Sequence, residues 1–523
     1  MAEINSAADS GAGPGDKSTE YARTRSAGTP YRGDKSTEYA STRSAGTPYR
    51  GDLTVCLLVE GSYPYITGGV SAWVQELIES LPSVRFALLT ISPKGGQALR
   101  YRLPANVASH RDMVVNEKRR SRGSPRGGAA ELMERVRALH GSFASGSAGG
   151  FEEVVSRIPA GYRPYKEAVH DPAAWEMIVA ANGAHNPVYP FSDFFWSWKS
   201  AHDMVFTILG EEMPEADLYH AVCTGYAGLA AVTAKLRARR PFLLTEHGIY
   251  HKEREMEIKR APFVRGYQRD MWISMYAGIS RLCYRHADTI VALFEQNRRI
   301  QIEMGADPDR AVVIPNGIDI PRYASVRREK RAGFHVGFVG RVVPIKDART
   351  FILMAKMVAE VIPDAQFWCV GPTDEDAAYF EDCQGLVESL QLSDRFTFTG
   401  KTDVREYYSF LDVLTLTSVR EAQPLVILEA FAAGLPVVST RVGNVPELLE
   451  HDERFLASSK DVEKLCQAVL YVHEHPVEMQ GLAERNREKV ERFYDKTQVF
   501  ERYGAIYSSL ARSSRQWRES ASS

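Results

Sequence analysis

The chain has 523 residues, 44 % of them apolar and 25 % charged, the balance of a soluble globular protein. That length exceeds one ordinary core and predicts two large domains plus insertions. A formal net charge of −2 gives neither nucleic acid nor an acidic membrane surface a reason to be the main partner.

Six cysteines (Cys56, Cys223, Cys283, Cys369, Cys383, Cys466) lie far apart with no C-x-x-C pair, and several sit in apolar runs. They read as small core residues in a reducing compartment. No run of about 18 apolar residues is present to span a bilayer. Residues 1–14 lack the apolar stretch of a signal peptide, so a cytoplasmic location is expected.

The first fifty residues stand apart. Residues 15–32 (GDKSTEYARTRSAGTPYR) recur as 33–50 with one substitution. Their Gly, Ser, Thr, Pro and charge content cannot bury a core, and two copies are too few for a stacked repeat. A disordered tail over 1–50 is expected.

Residues 53–59 form a strand-length apolar run, followed by a Gly-rich turn over 60–69. Val70, Trp73, Val74, Leu77, Ile78 and Leu81 then recur at helix spacing, Pro82 stops the helix, and 86–91 reads as a second strand. Between about 94 and 214 the pattern is irregular. Segments 121–130 and 142–150 look like flexible loops, the aromatic run 191–198 looks ordered, and the region reads as an insertion. Alternation resumes with strand 218–222, helix 227–239, strand 242–245, helix 271–286, strand 289–293, helix 296–304 and strand 311–314. A second series follows: strand 336–339, helix 348–362, strand 366–370, helix 379–390, strand 395–399, helix 404–411, strand 413–417, helix 425–433 and strand 437–439.

This order predicts an α/β chain of two doubly wound Rossmann-like domains facing across a cleft, each built on a parallel sheet covered on both faces. The expected boundaries are 51–325 for the N-terminal, acceptor-side domain and 326–490 for the C-terminal, nucleotide-binding one. Residues 491–523 are expected to form a helix returning to the first domain. Ligands of such sheets bind outside the carboxyl ends of the strands.

The sharpest constellation is Glu421-Ala-Gln-Pro-Leu-Val-Ile-Leu-Glu429, two carboxylates eight apart after a strand and at the start of a helix. Pro424 suits the first helical position, and amides near Leu425 and Val426 then point out of the helix N-terminus, where they can hold a phosphate. Glu421 is placed for sugar hydroxyls and Glu429 for the two hydroxyls of a ribose. Alone, the pair would read as a solvated loop glutamate and an ordinary amphipathic helix. It is accompanied by Gly340-Arg341-Val-Val-Pro-Ile-Lys346-Asp after the first strand of the same half. A diphosphate leaving group develops negative charge, which Arg341 and Lys346 would offset without a metal. The first half adds Gly68-Gly69-Val70 at a βα turn, where the backbone can approach a ligand. Thr245-Glu246-His247-Gly248 places His247 at a strand's carboxyl end, where a satisfied structural histidine is the competing reading.

The GGV loop, the strand-end histidine, Pro315-Asn316-Gly317-Ile318-Asp319, the G-R-x4-K loop and E-x7-E occur in this order. Together they resemble the retaining GT-B enzymes of glycosyltransferase family 4, over roughly residues 53 to 510. EGSYPYITGGVSAWV (60–74), TEHGIYHKERE (245–255) and REAQPLVILEA (420–430) are similar to the cytoplasmic transferases of Pel exopolysaccharide synthesis. The resemblance implies UDP-glucose or a related UDP-hexose as donor, and a saccharide or other acceptor. It also implies association with a membrane polysaccharide synthase complex. By the same resemblance Gly69 lies by the diphosphate, Arg341 and Lys346 bind it, Glu421 holds the donor sugar, Glu429 the ribose, and His247 contacts the transferred sugar. The family usually has a small residue with Gly or Pro after the first glutamate, a pattern that Ala422-Gln423-Pro424 fits only loosely. No D-x-D follows an apolar strand where a divalent cation would need it, so no metal or other cofactor is expected. A nucleotide-sugar epimerase and a non-enzymatic nucleotide-binding subunit of a synthase are the competing readings.

Deleting residues 1–50 is predicted to leave melting temperature and turnover near the full-length values, because unstructured segments add little packing. Calorimetric melting and a turnover assay on the truncated chain check this; a large loss of either would show that the tail docks on the body.

Overall fold

The computed structural model describes residues 53–522 apart from 116, 118–120, 166–169, 186–189, 263 and 265, so the tandem repeat lies outside the described residues. Alternating strands and helices build two parallel sheets. The first has the order β3-β2-β1-β4-β5-β6-β7. Its strands are β1 (Leu53–Glu60), β2 (Val84–Ser92), β3 (Val107–Val114), β4 (Leu218–Ala221), β5 (Phe242–Glu246), β6 (Thr289–Ala292) and β7 (Ala311–Val313). The second has the order β10-β9-β8-β11-β12-β13. It comprises β8 (Phe334–Val339), β9 (Ala365–Val370), β10 (Phe396–Gly400), β11 (Val413–Leu416), β12 (Val437–Thr440) and β13 (Leu456–Ala457).

The central strands are buried almost throughout, which is why their sequences are continuous apolar runs and not alternating ones. In each sheet the order reverses once, between β1 and β4 and between β8 and β11. A doubly wound sheet opens a crevice at such a reversal, outside the strands' carboxyl ends.

The region read as an insertion from about 94 needs a correction, because β3 lies inside it and pairs in parallel with β2. Its sequence, VASHRDMV, buries only Met113, so an edge strand of this kind gives no apolar run to detect. The rest of the region is mostly helical, with Ala129–Ala144, Phe151–Arg157, Pro172–His185 and Phe191–Leu209. The first of these helices takes up the beginning of the expected 142–150 loop. The helices Tyr250–Arg260, Val462–Glu474 and Pro476–Phe493 also lay outside the predicted elements.

The C-terminal helix, Lys496–Ser522, inserts Val499, Phe500, Tyr503 and Tyr507 into the core formed by β1, β2 and the helix Gly69–Ser80. The Tyr507 hydroxyl lies 2.7 Å from His220 Nδ1, and His220 Nε2 lies 2.9 Å from Thr245 Oγ1. The two passages of chain between the halves run side by side. Ile318 N–H donates to Tyr494 O at 2.8 Å and Lys496 N–H to Ile318 O at 3.0 Å. Gly317 makes this approach possible, since a Cβ there would stand 2.5 Å from the Lys496 backbone. No described helix is long and apolar enough to cross a membrane.

Burial holds several imidazoles neutral: it lowers His140 to about 4, and His202 and His220 to about 3. A folded-state pKa below the unfolded value means that the unfolded chain binds the extra protons. The stability these groups carry is complete above about pH 6.5 and falls as the pH drops toward their folded values. The buried imidazoles are therefore predicted to lower the melting temperature as the pH falls from about 7.5 to about 5. Scanning calorimetry across that window checks it, and a flat or rising profile would contradict the neutral buried imidazoles.

Candidate active site

The reversal between β8 and β11 explains how two motifs some eighty positions apart meet. The strands pair directly, with Val413 opposite Val336 and Thr415 opposite Phe338. The loops that follow them are then laced together. Val419 N–H donates to Ile345 O at 2.9 Å, and Thr417 Oγ1 donates to Asp347 O at 2.8 Å. Asp347 caps the helix Ala348–Val361, accepting from Thr350 N–H and, at 2.7 Å, from the Thr350 hydroxyl. In this frame Lys346 Nζ reaches Glu421 Oε1 at 2.5 Å, and the Ser418 hydroxyl donates to the same oxygen at 2.7 Å. Both side chains of the ion pair are largely buried, so a lysine and a carboxylate stand ready-paired at the mouth of the crevice.

The helix Leu425–Ala432 begins four residues after Glu421, and Leu425 and Val426 supply its first amides, which lack intrahelical acceptors. Pro424 is its N-cap and not its first helical residue, one position earlier than the sequence suggests. Glu429 is half-buried on this helix, and its Oε2 accepts from Tyr408 Oη at 3.2 Å. Burial raises its carboxyl pKa, while hydrogen bonds from Tyr323 and Tyr408 oppose the rise. Arg341 is not drawn to Lys346: its guanidinium donates to both oxygens of Glu375 at 2.6 Å, with both side chains about half exposed. Exposed pairs of this kind are worth about 0–1 kcal/mol, so an incoming anion could redirect Arg341 at little cost.

In the first half, Gly68 and Gly69 lead from the β1 loop into the helix Gly69–Ser80, with no atom near the position of a Cβ at either. His247 follows β5 and packs edge-on against Trp73 of that helix, ring centroids 4.6 Å apart. Trp73 in turn rests against Tyr503 of the C-terminal helix. His247 Nε2 is buried with no hydrogen-bond partner among the described residues, and burial lowers its pKa to about 4. The ring is therefore neutral at neutral pH and offers a hydrogen bond, not a charge.

Two strand-end carboxylates hold this half together, and the sequence reading gave neither a role. Glu246 is fully buried; it accepts from Thr224, Tyr250 N–H, Tyr284 Oη and Gln301 Nε2 at 2.7–3.0 Å, fixing the turn that presents His247. Glu60, ending β1, accepts from the Tyr226 amide at 2.6 Å and from Tyr250 Oη at 2.7 Å. The usable signal for both was a glutamate ending an apolar strand, a position too costly for a charge unless donors surround it.

The halves meet beside these groups. Arg420 Nη2 lies 2.9 Å from Glu253 Oε1, and Asn316 N–H donates to Gln423 Oε1 at 2.8 Å. Gln423 is thus turned toward the linker. Behind the loop, Gly443 has φ 51°, and a Cβ on it would stand 2.1 Å from Ala422 O and 2.6 Å from Glu421 O. Gly443→Ala is accordingly predicted to destabilise the protein by about 1–3 kcal/mol and to displace the Glu421 loop. Thermal melting checks the first effect, and unchanged stability would contradict the close approach.

Residues 333–475 match the family model described as glycosyl transferases group 1, and 53–309 match one described as a domain of unknown function (DUF3492). Over 222 residues the chain is 27 % identical to the N-acetyl-alpha-D-glucosaminyl L-malate synthase of Bacillus anthracis, covering 42 % of this chain and 56 % of that protein. Over 181 residues it is 32 % identical to the D-inositol 3-phosphate glycosyltransferase of Kineococcus radiotolerans, covering 30 % of this chain and 41 % of that one. The chain spans about half the length of the curated relatives it matches. The crystal structure of Anabaena HepE in complex with UDP and glucose aligns with a TM-score of 0.52 at 17 % identity, over 87 % of this chain and all of that one. The two facing parallel sheets share the GT-B arrangement of such structures.

Proposed function

We propose that this chain, whose residues 333–475 carry a glycosyl transferase group 1 domain on a GT-B fold, is a retaining hexosyltransferase. It moves glucose or a related sugar from a UDP-sugar to a saccharide or other acceptor in exopolysaccharide synthesis, alongside a membrane polysaccharide synthase. The observation that carries this reading is the Lys346–Glu421 pair beside the first amides of the Leu425–Ala432 helix, in one strand-order reversal. The base is supported by solved HepE complexes with UDP and UDP-glucose. The polysaccharide role is supported by the similarity of residues 60–74, 245–255 and 420–430 to PelF of the Pel machinery.

The roles follow from charge and reach. Departure of UDP leaves negative charge on the diphosphate, which Lys346, a redirected Arg341 and the Leu425 and Val426 amides offset; Gly68 and Gly69 let the opposite loop approach it. Glu421, released from Lys346, accepts from sugar hydroxyls as positive charge builds at the anomeric carbon. Neutral His247 bonds the transferred sugar, and Glu429 takes the ribose hydroxyls. The acceptor hydroxyl attacks from the face the leaving group vacates, its proton passing to the departing phosphate oxygen, so configuration is kept. None of these steps calls on a metal.

Incubating the protein with UDP-glucose should release UDP and form a glycoside with retained configuration; an epimerised donor, or an untouched one, would overturn the proposal. The glutamates should separate. Glu429→Ala is predicted to weaken UDP binding by about tenfold or more, as loss of charge-assisted hydrogen bonds implies. Glu421→Ala should leave UDP affinity undiminished, because losing the carboxylate frees Lys346 for the diphosphate, yet cut turnover by about a hundredfold, because its contact tightens in the transition state. Calorimetry and UDP-release kinetics read both, and equal losses of UDP affinity would refute the assignment.

A further inference from the structure

Glu421 is bracketed by two residues that reach out of its own half. One position before it, Arg420 pairs with Glu253 at 2.9 Å; two positions after it, Gln423 accepts from Asn316 N–H and its Nε2 faces Asn316 O. Glu253 is no arbitrary partner. It sits in the first turns of the helix Tyr250–Arg260, which follows His247 directly, and its amide donates to Ile249 O at 3.0 Å. Its Oε1 lies 2.4 Å from where a Cβ on Gly248 would stand, so the carboxylate rests on the backbone next to His247. Neighbouring Arg254 is turned to Glu257 at 2.9 Å and lies over the Tyr250 ring.

We propose that Arg420 and Glu253 are positioning residues whose ion pair sets the Glu421 loop against the His247 loop across the cleft. The proposal rests on the glycosyltransferase reading above and names a coupling it does not contain. Both side chains are about one-third exposed, so the pair adds little to stability. Its effect is on geometry: a misplacement of about 1 Å between groups acting on one substrate can cost a hundredfold in rate. A dedicated link between the loops is therefore worth keeping even where it barely stabilises the fold. On the other side of Glu421, Gln423 ties the same loop to the linker through Asn316 N–H.

The test compares Arg420→Ala, Glu253→Ala and the doubly reversed pair Arg420→Glu with Glu253→Arg. UDP release from UDP-glucose is measured beside UDP affinity, melting temperature and amide hydrogen exchange. Each single substitution is expected to lower turnover by about tenfold with UDP affinity within about twofold and melting nearly unchanged. Exchange should quicken in both loops, 247–249 and 418–423, whichever partner is removed, and the reversed pair should recover much of the rate and protection. Unchanged turnover in the single variants, or faster exchange only in the substituted loop, overturns the proposal. If the unmodified protein releases no UDP from any UDP-hexose, the glycosyltransferase reading fails, and the exchange pattern alone still decides whether the two loops are coupled.

Discussion

Because β8 pairs with β11 on one side and β9 on the other, the chain leaves this sheet's centre in two opposite directions. The loops after β8 and β11 therefore cannot be covered by each other's helices and must meet at the open end of the sheet. Everything specific to the second half follows from that constraint. The hydrogen bonds from Val419 to Ile345 and from Thr417 to Asp347 hold the two loops in register. They bring Lys346 and Glu421 within 2.5 Å. Neither charge would be tolerable there alone, since a largely buried ion without a partner costs several kcal/mol by order of magnitude. Paired, they form a neutral unit that a ligand carrying both anionic and hydroxyl groups can divide.

The first half uses the equivalent reversal differently. Between β1 and β4 the structure places Glu60, which takes up the amides at the start of the Tyr226–Ala238 helix. That helix N-terminus is thereby occupied from within the protein, whereas the Leu425–Ala432 helix has no side-chain cap. In the first half it is the Gly69–Ser80 helix that has no side-chain cap, so each half leaves one helix N-terminus open at its reversal. The C-terminal helix completes the first half from outside the sheet: Tyr503 supports Trp73, and Trp73 supports His247. The adjoining passages at Ile318 and Lys496 confine the connection between the halves to one place.

Much of this was legible in the sequence, and the parts that were not share physical causes. Central strands such as LTVCLLVE announce themselves because burial on both faces demands continuous apolar residues. The edge strand β3 escapes because only Met113 is buried. The helix Tyr250–Arg260 escapes because its sequence, YHKEREMEIKR, is polar nearly all round and carries little apolar stripe. In the candidate site the E-x7-E and G-R-x4-K motifs were readable because spacing after a strand fixes their place. That Lys346 bonds Glu421 and Arg341 bonds Glu375 was not, since partner choice depends on strand order and side-chain reach. Gly443 lies outside the motifs and acts through a close approach, and Glu253, though within 245–255, acts through a contact between halves that no local pattern encodes.

The pairing of Lys346 with Glu421 also bears on how specificity is arranged under the proposed roles. A free lysine at the crevice would attract any phosphate, and a free glutamate would repel one. Joined, they present little net charge, so a bare phosphate that engages Lys346 must leave Glu421 without its main partner. A ligand that also presents hydroxyl groups to Glu421 replaces both halves of the broken bond. Binding then favours a phosphate bearing a sugar over a phosphate alone, by the cost of leaving a buried acceptor unpaired, about 1–3 kcal/mol. Ser418, which donates to the same Glu421 oxygen, lessens that cost without removing it. Under the proposed roles, discrimination between donor and product would originate in the Lys346–Glu421 pair, an interaction made within the unliganded protein.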